Sequence, residues 1–224
     1  MMQRHFDEDL KQLNANLLKM AALAEESIYI SIKALKDRDK ELAQCVVVND
    51  RRIDELEIEL DELAISLLAL RQPIAVDLRF ITTGMKINGE LERIADLSVN
   101  IAQRVLAIAD MPNLKPVDNI NKLADISRRM VREAIDSFVN RDEKLARQVI
   151  GEDPEADNLR DSVYKELIEE YMLKDNSTIT RAVPLILVSR HLERICDHAT
   201  YIAEEVIYMI RAKIVKHHPE ELDK

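Results

Sequence analysis

Leu91-Glu92-Arg93-Ile94-Ala95-Asp96 occurs a second time, 101 residues later, as Leu192-Glu193-Arg194-Ile195-Cys196-Asp197. Each copy sets two carboxylates at i and i+4, which on an α-helix are stacked neighbours on one face. Like charges so placed cost an isolated helix about 0.2–0.5 kcal/mol. Something must compensate a pair that is written twice, and a bound cation is the first candidate. The repetition runs further than the motif. Residues 91–103 and 192–204 agree at seven of thirteen positions; residues 38–54 and 141–157, at an offset of 103, agree at seven of seventeen. Chance would give about one identity in each window, so the chain is an internal duplication.

Helical periodicity places the repeats on long helices. Leu10, Leu13, Leu17, Met20, Leu23, Ile30 and Leu35 predict a first helix from Phe6 to about Lys36. Asp39 can cap a second, Lys40 to about Arg71. Gln72-Pro73 marks a turn, with Pro73 placed to open a third helix that continues to about Ala109. Gly84 and Gly89 interrupt that helix, and close packing against a neighbour is the expected reason. The linker Asp110–Pro116 carries two prolines, and three more helices follow: about 117–140, 142–173 and 177–213. A polar, frayed tail is expected from His217 to Lys224. The expected fold is all-α: two tandem three-helix bundles, residues 1–111 and 112–224, related by pseudo-twofold symmetry.

Composition supports long helices and limits function. Of 224 residues only 3 are Gly and none is Trp, while 33% are charged. The net charge of −10 argues against a nucleic-acid partner, since phosphate contacts need a basic surface. Cys45 and Cys196 make no metal-spacing pair. The first eight residues lack a signal peptide's apolar core, and the longest apolar run, Ala182 to Val188, is far too short to span a bilayer. A cytoplasmic chain is expected, touching membranes only through partners.

The duplication also repeats Asp50/Asp54 as Asp153/Asp157, one helix upstream of each Leu-Glu-Arg-Ile motif. Asp50 with Asp96, and Asp54 with Glu92, are each centred on residue 73, the turn proline. In a hairpin folded there, the partners lie ~28–35 Å from the turn and arrive level. Asp153 with Asp197, and Asp157 with Glu193, are likewise centred on the Asp175-Asn176 turn. Four carboxylates that converge cannot all stay ionised without a cation. Either arginines such as Arg51, Arg52, Arg93 and Arg194 form a salt-bridge lattice, or each bundle holds metal. Oxygen-only ligands suit Mg²⁺, Ca²⁺, Mn²⁺ or iron. His198 points ~100° away from Asp197 around its helix and is expected on the surface or in the core. Cys196, where the repeat has Ala95, is expected as a small buried residue. No Gly-rich phosphate loop, nucleophile elbow or Glu-x-x-His pair is present at the converging positions.

With these motifs, and with Arg71-Gln72-Pro73 followed by Asp77-Leu78-Arg79, the chain resembles the PhoU family over essentially its whole length. The resemblance implies a non-enzymatic, often dimeric protein of two three-helix bundles. It implies multinuclear iron or zinc sites, with Mn or Mg as alternatives, at Asp50, Asp54, Glu92, Asp96, Asp153, Asp157, Glu193 and Asp197. It further implies a negative regulator linking a phosphate ABC transporter, through its ATPase subunit, to a sensor histidine kinase. Two other readings stand beside it: a carboxylate-bridged metal oxidase or hydrolase, and a plain helical scaffold without metal.

Overall fold

The computed structural model describes residues 2–114 and 118–213. Six α-helices make up nearly all of them: α1 (Met2–Asp37), α2 (Lys40–Arg71), α3 (Ala75–Ile108), α4 (Asp118–Asn140), α5 (Glu143–Glu166) and α6 (Ile179–Arg211). The expected tail from His217 and the end of the linker, Lys115 to Val117, lie outside the described residues. No helix among the described residues is long and apolar enough to cross a membrane.

The duplication is visible first in the turns. Arg38 and Arg141 both leave the preceding helix in the left-handed region, at φ 55° and 51°. The next amide then reaches back, Asp39 N–H to the Ala34 carbonyl at 3.0 Å and Asp142 N–H to Ser137 at 2.9 Å. This is the six-to-one bond of a Schellman cap. The same aspartates start the following helices, accepting from the Leu42 and Leu145 amides at 2.9 and 3.1 Å. One Arg-Asp pair thus ends a helix and begins the next, which holds α1 antiparallel to α2 and α4 to α5.

Two corrections apply to the boundaries. Pro73 does not open α3: Gln72 ends α2 at φ 48°, Ile74 is extended, and the helix begins at Ala75. The right-handed helical region is disfavoured for a residue before proline, which helps end α2 at Gln72, and the chain takes further residues to reverse. At the other hairpin, α5 continues through a π-helical stretch, Leu167–Met172, and a 3₁₀ turn, Asn176–Thr178, precedes α6.

Each half packs its three helices mutually, and the halves then join along α3 and α6, the longest seam in the molecule. The result is two layers, α2-α3-α6-α5 and α1-α4. One core runs through both halves, and Leu91, Ile94, Leu192 and Ile195 are all fully buried in it. Burying such side chains contributes about 1.5–3 kcal/mol each. Gly84 packs as expected: a Cβ there would stand 3.1 Å from Leu17 Cδ1. Gly89 does not. A Cβ would meet nothing within 4 Å, because Gly89 lines a cleft between α3 and α6.

Candidate metal centres

The α2–α3 and α5–α6 hairpins carry the eight predicted carboxylates, four on each. In the first half, Asp50 is half-buried and pushed up to about 6 by burial, then by Asp54 and Asp96. Its coupling to Asp96 across α2 and α3 is what the hairpin register requires. Glu92, with 17% of its side chain exposed, is pushed up to about 7 by burial first and then by Asp96, which also accepts a hydrogen bond from it. The α2 neighbour that raises Glu92 is Glu57. Glu57 is itself raised, by burial and then by Asp61 and Asp54. Asn88 fixes this register, donating from α3 to the Glu57 carbonyl at 2.9 Å and to Asp61 Oδ1 at 3.1 Å. The nearest cation is Arg93, 63% exposed and no closer than 3.5 Å to Glu92 or Asp96.

The second half has the same acids and a different filling. Arg160 donates from Nη1 to Asp157 Oδ1 at 2.8 Å and to Glu193, and holds Asp161 through Nη2 at 2.9 Å. Thr200 makes a long 3.5 Å contact with Asp153 Oδ1. Burial still raises Asp153, Glu193 and Asp197, with Asp157 as a neighbour of all three, but Arg160 pulls each one back. Cys196 is fully buried, and burial together with the four carboxylates holds its thiol well above the ordinary range. It offers no thiolate.

Of the arginines considered for a lattice, only Arg93 touches a carboxylate of either cluster. Arg51 pairs with Glu55 along its own helix, and Arg52 and Arg194 enter no ion pair among the described residues. Arg160 and Glu57 are the two residues the sequence reading passed over. The signal was available: an offset of 103 aligns them, so the repeat reverses charge one turn beyond the Asp-x-x-x-Asp pairs. His198 is neither simply surface nor core, since its Nδ1 lies 2.5 Å from Glu90 Oε2 across the α3–α6 seam. Two turns earlier His191, aligned with Glu90, is held down to about 4 by burial and then by Arg104, Arg194 and Arg190.

Among the described residues, no three His, Cys, Asp or Glu side chains stand together as a ready-made ligand set. The donor chemistry nevertheless fits a hard cation in the first half, where carboxylates crowd one another and burial with neighbouring acids raises Asp50 and Glu92. In the second half Arg160 already supplies part of the positive charge that an ion would bring.

Both halves match the family model described as "PhoU domain", over residues 17–105 and 120–206. A phosphate-specific transport system accessory protein PhoU homolog of Zymomonas mobilis is 39% identical, covering 93% of this chain and 87% of its own length. The one of Aquifex aeolicus is 40% identical, over 94% and 95%. The crystal structure of PhoU from Pseudomonas aeruginosa superimposes with a TM-score of 0.89 at 35% identity, covering 93% of this chain and 100% of that one. That of the phosphate transport system regulatory protein PhoU from Streptococcus pneumoniae gives 0.87 at 26%, over 94% and 99%. The chain therefore belongs to the PhoU family, with the family's domain present twice.

Proposed function

We propose that this chain is a cation-binding, non-catalytic adaptor that regulates phosphate uptake negatively. It links a phosphate ABC transporter, through its ATPase subunit, to a sensor histidine kinase, and keeps the phosphate-starvation response off when phosphate is plentiful. The observation that carries the first part is the match of both halves to a family whose curated members are accessory proteins of phosphate-specific transport. The metal part rests on the first cluster, where Asp50 and Glu92 are pushed up to about 6 and 7 with no buried cation between them. Iron or zinc in multinuclear clusters is the expected occupant, with manganese or magnesium as alternatives. A bound cation supplies the missing positive charge. Asp50, Asp54, Glu92 and Asp96 would hold it in the first half, and Asp153, Asp157, Glu193 and Asp197 in the second, tying α2 to α3 and α5 to α6. A homodimer in the cell completes the reading.

Deleting the chain should switch a phosphate-starvation reporter on at high phosphate, and re-expression should switch it off. Copurification of the transporter ATPase and the kinase with the re-expressed chain is the expected companion result. A reporter that ignores the deletion would reject the regulatory reading. Sustained, metal-dependent turnover of oxygen or of phosphate esters by the purified chain would favour the oxidase or hydrolase instead.

A further inference from the structure

At the end of the bundle where the halves are joined, a cavity of about 170 Å³ opens between α1, α3, α4 and α6. Its walls are apolar, formed by Leu35, Val105, Ile108, Ile120 and Leu185, and Lys36, Arg38 and Arg181 stand at its edge. The duplication supplies a control within the same molecule. The offset of 103 carries Leu35 to Phe138 and Arg38 to Arg141; the offset of 101 carries Arg181 back to Phe80 and Leu185 to Gly84. At that related place the space is full. Phe80 and Phe138 stack with centroids 5.1 Å apart and planes 13° from parallel, and the Arg141 guanidinium covers the Phe80 ring at 5.7 Å. Gly84 gives Leu17 room to close in behind them.

In the first half both rings are missing. Leu35 is too short to replace Phe138, and Arg181 puts no ring in the space: it stays at the rim, donating to the Pro112 carbonyl at 3.1 Å. Arg38 is likewise committed, donating to the Ala109 carbonyl at 3.2 Å and to Asn113 at 2.9 Å. Lys36 enters no ion pair among the described residues; Arg181 acts on Asp175 through its charge without a direct ion pair, and one carbonyl leaves most of its five guanidinium donors unused. In size the space is close to the engineered apolar cavity of about 150 Å³ that admits benzene. An apolar floor shaped like a ring site, with unpaired cations at its mouth, recognises one kind of molecule: a flat apolar body bearing an acidic group.

We propose that this cavity is a binding site for a small aromatic anion, its ring seated where the copy stacks Phe80 and Phe138 and its acid facing Lys36 and Arg181. The site is separate from the carboxylate clusters and beside the linker that joins the two halves, so occupancy would bear on how the halves are held.

The test is a titration of the full chain with benzoate, phenyl phosphate, benzyl alcohol and inorganic phosphate, followed through the methyl resonances of Ile108, Ile120 and Leu185. Saturable shifts with benzoate or phenyl phosphate are expected, with benzyl alcohol at least about tenfold weaker and inorganic phosphate silent at these methyls. Leu35→Phe should abolish the shifts while leaving the remaining methyl spectrum in place, and Leu185→Phe is a second way to fill the space. Arg181→Gln should erase the preference for the acids over the alcohol. Unmoved methyls with every probe, or equal binding to Leu35→Phe and Leu185→Phe, would overturn the site. Equal affinity for benzyl alcohol would overturn the acidic ligand.

Discussion

Arg160 in one half and Glu57 in the other occupy equivalent positions, one turn beyond an Asp-x-x-x-Asp pair on the second helix of each bundle. Around them the two clusters have matching acids and opposite electrostatics. Where Arg160 reaches Asp157, Glu193 and Asp161, the second cluster is partly neutralised from within. Where Glu57 stands, a fifth acid joins Asp50, Asp54, Glu92 and Asp96, and the one cation in reach, Arg93, is mostly exposed and stays 3.5 Å away. Thr200, where the first half has Val99, shifts the balance the same way. Duplication preserved the ligand types and the register while the charge around them diverged. The two halves should therefore differ in what they need in order to stay folded.

Arg160→Glu makes the second half resemble the first and should have the largest effect. Removing a partly buried guanidinium from three acids, two of them about half exposed or more, should destabilise the metal-free chain by about 2 kcal/mol, between the values for an exposed and a buried pair. Thermal unfolding with and without a chelator checks this, and divalent cation should recover much of the loss.

The converse change is smaller. Glu57→Arg should stabilise the metal-free chain by up to about 1 kcal/mol, because the position is partly solvated. It should also weaken divalent binding in the first half, visible in a calorimetric titration, while the second half is unchanged.

A third comparison uses pH. Glu92 and Asp50 bind protons more tightly folded than unfolded, so the folded chain holds more protons between about pH 4 and pH 7. Their contribution is greatest below that window and is lost as pH rises through it. His191 acts in the opposite sense between about pH 4 and 6.5, since folding keeps it neutral. The difference curve between the metal-free chain and Glu92→Gln isolates the first effect: the variant should gain relative stability as pH rises to 7. The equivalent Glu193→Gln should gain less, as Arg160 already holds that carboxylate. Smallest of all, Thr200→Val should move stability by no more than about 0.5 kcal/mol, given a 3.5 Å contact at a partly exposed site.

The parts of this account that were legible in the sequence share a physical reason. Helical rise is constant, so residues centred on Pro73 and on Asp175-Asn176 had to arrive level, and Asp50 does feel Asp96 as Asp197 feels Asp153. The Arg38-Asp39 and Arg141-Asp142 breaks were legible because capping is local chemistry. What was not legible depends on which helix a face meets. The apolar stripes of α3 and α6 say that they are buried; they do not say that they are buried against each other, with one core through both bundles. Gly89 was assigned to close packing for the same reason, although it borders an open cleft. Pro154 and Pro184 lie inside α5 and α6, where local propensity opposes helix and tertiary packing prevails. Arg160 was missed because attention stopped at the acids, and the charge reversal that matters lies three residues past them.

The most direct test is a divalent-metal titration of the chelator-treated chain, using manganese as the probe, on wild type, Asp96→Asn and Asp197→Asn. The account predicts tight binding that Asp96→Asn removes, and weaker binding, competing with Arg160, that Asp197→Asn removes. Equal affinities for the two halves, or tight binding that survives Asp96→Asn, would contradict it.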